Sequence, residues 1–338
     1  MMTVLEQRYR TALRLLPSYY RAEREEEMVD AYLHGIDERD RDEMRPALGE
    51  VASIAALAIR TRMGAAGAPA RYATLGATVR LFALLSVLLH AASALTQRAL
   101  FLTWVKDAPA PYRESFLGDF TGHGGLPGLY EAAFWLLPLA WAVAYLALLR
   151  DHRRTAFVFA VLAALPALLP LTQLAGGGQD TAAVALPLAT AVSSWLTVLT
   201  LCCGFHSDAP PARLPLASPG LVLMGTCVLM GASTVVWPGV ADTAWSESSA
   251  FIAAAAVWLV ARYRSPKQVA DPALPLALAT LGLAVLVERT LTLASLVQAH
   301  APGPLIAAST VQAGAVTVLA AALTTTGTRS MTARFRTG

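Results

Sequence analysis

Long apolar stretches separated by short polar breaks make up most of the sequence after residue 75. A hydrocarbon core about 30 Å thick takes roughly 20 apolar helical residues to cross, and eight stretches are long enough to do so. They are 75–96, 128–149, 155–175, 181–203, 219–238, 245–262, 273–296 and 304–326. The pattern therefore predicts eight transmembrane helices. The first can extend toward Trp104, because the sequence stays largely apolar after Gln97.

The segment before these stretches has a different pattern, in which apolar residues recur at helical spacing among charged ones. In the first part of it the recurring positions are Leu5, Tyr9, Leu13 and Leu16. Pro17 ends this helix, and Ser18 can cap a second one. Residues 46–63, "PALGEVASIAALAIRTRM", have a broad apolar face and predict a third helix. We therefore expect a small three-helix head.

Composition supports the same division. The 338-residue chain is 56% hydrophobic and 14% charged, with a mean hydropathy of +0.51, whereas soluble domains contain about a quarter charged residues. We predict an all-α, polytopic membrane protein with a head over residues 1–63, a linker over 64–74, a transmembrane domain of about eight helices over 75–326, and a basic tail over 327–338.

The basic residues of the connections predict the orientation, because cytoplasmic loops are rich in Lys and Arg. One alternate set of connections carries Arg150, Arg153, Arg154, Arg213, Arg262, Arg264 and Lys267, and the tail adds Arg329, Arg334 and Arg336. The opposite connections at 176–180, 239–244 and 297–303 carry none. We predict a multi-pass protein of the plasma membrane with both termini in the cytoplasm, in contact with the lipid bilayer.

Several classes of function lack support in the sequence. A net charge of +3 is too small and too dispersed to indicate nucleic-acid binding. The three cysteines and six histidines show no spacing typical of a metal site, and no catalytic motif is present. We predict that the chain is not an enzyme and uses no cofactor or metal.

Charged residues inside a membrane helix are costly and usually face protein or water. Glu288 and Arg289 lie deep in the seventh span, and adjacent residues on a helix point about 100° apart, so each requires its own partner. Gln312 is the first candidate partner because it lies at nearly the same depth in the next span. His90 is the second, and Glu131 can meet Arg289.

Two interpretations of this polar cluster are open. In one, Glu288, Arg289, Gln312, His90 and Glu131 line a polar cavity that opens outward and binds a ligand or relays protons. In the other, they form a structural network that holds the spans together. Prolines in or near the spans have the same two interpretations, as hinges around a cavity or as packing bends; these are Pro138, Pro166, Pro170, Pro187 and Pro275.

The N-terminal stretch "YRTALRLLPSYYRAEREEEMVDAYLHGI", followed by "RPALGEVASIAALAIR", resembles the short helical prefix domains of bacterial multi-span proteins, called HAAS or permease-prefix domains. The resemblance covers residues 3–63. It implies a cytoplasmic interaction or regulatory module that binds a regulatory protein, and it supplies no catalytic residues. We therefore expect a signalling or regulatory membrane protein. The alternative is a permease or transporter subunit with a polar site in the membrane.

Overall fold

The computed structural model describes residues 4–34, 45–65, 67–121, 126–169, 181–206, 209–210, 218–264 and 271–337. The described residues are largely helical and contain no strand. They fall into two compact units, residues 1–79 with 203–210, and residues 80–202 with 211–338. The predicted all-α class is therefore confirmed for the described part of the chain.

The first unit contains three helices within the segments that the sequence predicts to be helical. They are α1 (Val4–Leu13), α2 (Ser18–His34) and α3 (Leu48–Arg62). Their shared core is Tyr9, Leu13, Leu16, Val29, Ile54 and Ala58, each less than 10% exposed. The recurring apolar positions of α1 thus do pack inward, as their spacing predicts.

Two further interactions tie the first two helices together. Arg10 of α1 donates to both carboxylate oxygens of Glu26 on α2, each at 2.8 Å, and to Glu6 at 3.1 Å. The rings of Tyr9 and Tyr32 are stacked with their centroids 4.0 Å apart. Part of the acidic run of α2 is therefore neutralised from within the same unit.

The remaining helices account for most of the chain. They are α4 (Ala70–Asp107), α5 (Ala110–Thr121), α6 (Leu126–Leu136), α7 (Ala140–Leu149), α8 (Arg153–Ala164), α9 (Thr181–Gly204), α10 (Pro219–Val236), α11 (Trp245–Arg264), α12 (Ala273–Gln298) and α13 (Gly303–Thr337). Short 3-10 turns follow α6 at Leu137–Leu139 and α8 at Leu165–Leu168.

Five helical segments of the described chain are long and apolar enough to cross a membrane. They are Ala70–Asp107, Glu131–Leu149, Ala185–Gly204, Ala273–Gln298 and Gly303–Ala333. Each corresponds to one of the eight predicted spans, and together they indicate a multi-pass membrane protein.

The other three predicted spans look different in the structure. The span at 155–175 is a 12-residue α-helix that passes into a 3-10 turn, and residues 170–180 lie outside the described part. The apolar helix at 219–238 is short, covering Gly220–Val236. The helix at 245–262 is present as α11, but polar residues occupy its first turn. Eight crossings therefore remain a prediction.

Three predicted boundaries also move. Helix α4 begins at Ala70, inside the predicted linker 64–74, and it continues past Trp104 to Asp107. At the other end, α13 runs without interruption to Thr337, so the predicted basic tail 327–338 is mostly a helical extension. The charged segment 36–43 lies outside the described residues.

The core of the second unit is built from α4, α11, α12 and α13, with α12 and α13 in the most extensive helix–helix contact of the described chain. Phe251 of α11 is 2% exposed and lies against Gly282 of α12, where an added Cβ would stand 2.5 Å from the ring Cζ atom. The absence of a side chain at this glycine allows the two helices to approach closely.

A polar cavity between the helices

Polar residues recur along one face of α4, although the helix as a whole is apolar. They are Ser86, His90, Ser93 and Gln97. Their spacing of four, three and four residues places them on a single stripe, because a helix turns once every 3.6 residues. A stripe of this kind, inside a segment that is apolar enough for a membrane, needs polar or aqueous surroundings.

The stripe lines a cavity of about 410 Å³ that is contained within the second unit. Helix α9 contributes Thr190, Ser193 and Ser194, and the start of α11 contributes Glu247. Glu288 enters from α12, one helical turn beyond Val285. The volume falls in the range typical of small-molecule sites, about 300–1,000 Å³.

Three prolines line the same cavity, and each stands where a helix is interrupted or lacks a backbone donor. Pro138 lies in the 3-10 turn between α6 and α7, and Pro166 in the 3-10 turn after α8. Pro187 lies inside α9. Proline removes a backbone N–H and obstructs regular helix geometry. Interruptions of regular helix geometry therefore occur at the cavity wall. Of the other two prolines, Pro170 lies outside the described residues and Pro275 lies in α12.

Hydrogen bonds hold the Glu247 carboxylate in place. Ser93 Oγ donates to Glu247 Oε1, and Ser246 Oγ donates to Oε2 at 2.9 Å. Gln97 Nε2 in turn donates to Ser93 Oγ at 3.0 Å. Because two hydroxyl donors meet its two oxygens, Glu247 is supported as an acceptor at the edge of the cavity.

His90 is held on two sides. Its ring stacks on Trp141 with the centroids 4.8 Å apart, and its Nε2 atom lies 3.3 Å from Thr197 Oγ1. Both contacts come from helices other than α4. The imidazole is thereby fixed in orientation, with α4, α7 and α9 packed around it.

Glu288 differs from Glu247 in having no support of this kind. Among the described residues, no group donates a hydrogen bond to its carboxylate, which lines the same cavity as the Glu247 carboxylate. A carboxylate in a cavity gains most from a partner that carries positive charge or donates hydrogen bonds. Glu288 is thus the acid of the described lining that accepts no hydrogen bond.

Arg289, the next residue, belongs to a separate cluster. Its side chain is 0% exposed, and Nη1 is ion-paired with Asp242 Oδ1. Nη2 donates to Ser309 Oγ at 2.9 Å, and the same hydroxyl donates to Asp242 Oδ2 at 2.8 Å. The three residues close a ring that joins α12, α13 and the connection before α11.

Gln312 forms a third group of hydrogen bonds. Its Nε2 atom donates to Ser249 Oγ at 2.9 Å and to the Trp245 carbonyl oxygen at 3.2 Å. These bonds link α13 to the first turns of α11. Gln312 is 6% exposed, which is consistent with a role in packing.

The predicted five-residue cluster is therefore divided. Glu288 and His90 line the cavity, whereas Arg289 and Gln312 lie outside its lining. Gln312 and His90, the candidate partners of the two charges, bond to other residues and to neither Glu288 nor Arg289. The expectation that Glu131 can meet Arg289 is wrong, because Asp242 and Ser309 engage the guanidinium. Glu131 is exposed and does not line the cavity. The expectation that the two adjacent charges have separate surroundings is correct.

Sequence reasoning missed Asp242, Ser309 and Glu247. A signal for the two acids was present, since they are the only acidic residues between Asp208 and Asp271. Asp242 lies just before α11, and Glu247 lies in the first turn of that helix. An intramembrane arginine can therefore pair with an acid of a short connection as well as with a polar residue within a span.

The charges of the cavity lining do not balance. Glu247 and Glu288 are its two acids among the described residues, and Arg98 is its single permanent cation. The Arg98 guanidinium is engaged with the Trp135 carbonyl oxygen at 3.2 Å and with Gln97 Oε1 at 3.4 Å. With both acids ionised, the described lining carries one negative charge in excess. Within the described ranges, no group of three or more His, Cys, Asp or Glu side chains is placed to hold a metal ion.

Comparison with known proteins adds no assignment. No protein-family model, curated protein or solved structure matches the chain.

Proposed function

We propose that the chain is a regulatory protein of the plasma membrane that responds to a small ligand. In this proposal the ligand occupies the polar cavity, and the N-terminal helices bind a cytoplasmic regulatory protein. The observation that carries it is the cavity itself, in which Glu288, Glu247 and His90 converge between helices that are otherwise apolar.

The proposal includes eight crossings and cytoplasmic termini. The five long apolar segments support it, with α8, α10 and α11 supplying the additional crossings. Basic residues at the ends of α7 and α11, including Arg150 and Arg264, support the orientation under the rule that cytoplasmic loops are basic.

The regulatory part of the proposal draws on the first unit. Helices α1 to α3 form their own small core and keep a charged exterior, and residues 3–63 resemble helical prefix domains that act as interaction modules. Arg24 and Glu27, paired at 3.3 Å with both side chains more than half exposed, provide a surface on which a partner can dock.

Site-specific photo-crosslinking in cells tests the regulatory role with the full-length chain. A crosslinker at Arg24 should capture one defined cytoplasmic protein, and charge reversal at Glu27 should weaken that capture. A crosslinker at Val192, which is 58% exposed on α9 within the membrane body, provides the control. If Arg24 captures nothing beyond what Val192 captures, the regulatory role is contradicted.

A permease is the second candidate, and the three cavity prolines favour it. Interrupted helices around a site near the membrane centre are a feature of many transporters. Purified protein in liposomes should then accelerate the uptake of labelled organic ions relative to protein-free liposomes. Uptake at the protein-free rate would contradict this candidate.

A further inference from the structure

The cavity combines two features that restrict what it can bind. Among the described residues of its lining, the two acids Glu247 and Glu288 outnumber the one permanent cation, Arg98. The rest of the lining includes apolar and aromatic side chains: Leu89, Phe134, Trp141, Leu281 and Val285. The geometry points to a ligand with one positive charge and an apolar body.

The positive charge is best matched by Glu288. The Glu247 carboxylate already accepts from Ser93 and Ser246, whereas the Glu288 carboxylate accepts from no described residue. An ion pair in surroundings of low polarity is much stronger than one in water. A ligand cation at Glu288 would also cancel the excess charge of the lining.

Hydroxyl groups in the same lining suit a cation that donates N–H hydrogen bonds. Thr190, Ser193 and Ser194 stand on α9 across the same cavity, and each hydroxyl oxygen can accept a hydrogen bond. An ammonium group has up to three donors, enough for Glu288 and one or two of these oxygens.

Arg289 does not compete for Glu288, although it is the adjacent residue. Its two terminal nitrogens are engaged by Asp242 and Ser309. The chain thus holds its buried cation away from the cavity and leaves the carboxylate available.

We propose that the cavity binds a protonated amine carrying a small alkyl or aryl body, with the ammonium at Glu288 and the body against Trp141 and Phe134. This inference rests on the proposed function, in which the cavity is the ligand site. It adds the chemical class of the ligand.

Calorimetric titration of the detergent-solubilised full-length protein at pH 7 tests it with three probes of equal chain length: hexylammonium, hexanol and hexanoate. Hexylammonium should bind at least tenfold more tightly than either of the others. Glu288→Gln should reduce its affinity by about tenfold, because the ion pair is lost and the shape is kept. Glu131→Gln, which removes an exposed carboxylate outside the cavity, should leave the affinity unchanged.

The possible outcomes test the chemical class of the ligand separately from the existence of a binding site in the cavity. Hexanoate or hexanol binding as tightly as hexylammonium, with sensitivity to cavity substitutions, would overturn the amine proposal and leave the cavity as a ligand site. Hexylammonium binding that is unaffected by Glu288→Gln would also overturn it. If none of the three probes binds, both this inference and the cavity's proposed role fail.

Discussion

Arg289 is ion-paired with Asp242, 47 positions earlier in the chain, and has no pairing with its neighbour Glu288. The buried guanidinium and the cavity carboxylate therefore have different roles. The Arg289 guanidinium joins three segments of the membrane body, whereas the Glu288 carboxylate lines the cavity and accepts no hydrogen bond from a described residue.

Loss of the Asp242 carboxylate should destabilise the membrane body strongly. Asp242→Ala leaves the Arg289 side chain, which is 0% exposed, as an unpaired buried charge, and breaking such a pair costs about 3–5 kcal/mol. Thermal unfolding in detergent should show a large drop in the midpoint. The double variant Asp242→Ala with Arg289→Met removes both charges and should recover much of that loss. A double variant no more stable than Asp242→Ala would contradict the pairing.

Ser309→Ala should destabilise the protein less than Asp242→Ala does. It removes the hydroxyl that accepts from Arg289 at 2.9 Å and donates to Asp242 at 2.8 Å, but the direct ion pair remains. The expected cost is about 1–3 kcal/mol, measured by the same unfolding assay. If Ser309→Ala unfolds at the same midpoint as the wild type, the Ser309 hydroxyl does not stabilise the protein. Thr310→Ala, at an exposed position on the same helix, is the matched control.

Gly282→Ala should loosen the contact between α11 and α12. The new Cβ would stand 2.5 Å from Phe251 Cζ and 3.1 Å from Ala320 Cβ, and overpacking of this kind costs about 1–3 kcal/mol. Adding Phe251→Leu should relieve part of the clash, so the double variant should be more stable than the sum of the single effects. Gly225→Ala, with no atom within 4 Å of its added Cβ, should not destabilise the protein. Equal losses at both glycines would refute the close approach at residue 282.

The first unit should lose stability in strong alkali because of Tyr32. Burial, together with the nearby Glu50 carboxylate, raises the pKa of this phenol from its ordinary value of 10.0 to about 12. A raised folded-state pKa contributes stability that is fully present below pH 10 and is lost as the pH rises from about 10 to about 12. The difference in tyrosinate absorbance between wild type and Tyr32→Phe isolates the ionisation of this residue. A midpoint of about 10 in the folded full-length protein would contradict the predicted environment.

The long apolar helices could be predicted because each depends on the residues of its own segment. A membrane crossing needs roughly 20 apolar residues in a row, and this requirement located the five long segments without any tertiary information. Positions 155–175 passed the same test, and the structure describes there the α-helix Arg153–Ala164 and a 3-10 turn at Leu165–Leu168, whereas residues 170–180 lie outside the described part. Apolar content alone does not show where a proline interrupts the regular hydrogen bonds of a helix.

The partners of the charged residues could be predicted only in part, because they depend on which helices and connections meet in the folded protein. Helix geometry correctly separated Glu288 from Arg289. It could not reveal that the connection before α11 brings Asp242 to the guanidinium, because the depth of a residue along a helix can be compared only between residues inside spans. The spacing of the polar residues from Ser86 to Gln97 places them on one face of a helix. Only the fold shows that α9 and α12 complete a cavity around this stripe.

Thiol labelling of neighbouring positions on α9 tests the central claim, that the membrane body contains a polar cavity reached by water. In a chain whose three cysteines, Cys202, Cys203 and Cys227, are replaced by alanine, Ser193→Cys places a thiol on the cavity lining. Val192→Cys places one on the apolar exterior, at a position that is 58% exposed and that lipid should cover. Only the thiolate reacts, and it forms poorly in apolar surroundings. A charged methanethiosulfonate reagent should therefore label position 193 at least tenfold faster than position 192; equal, slow labelling at both would contradict the account.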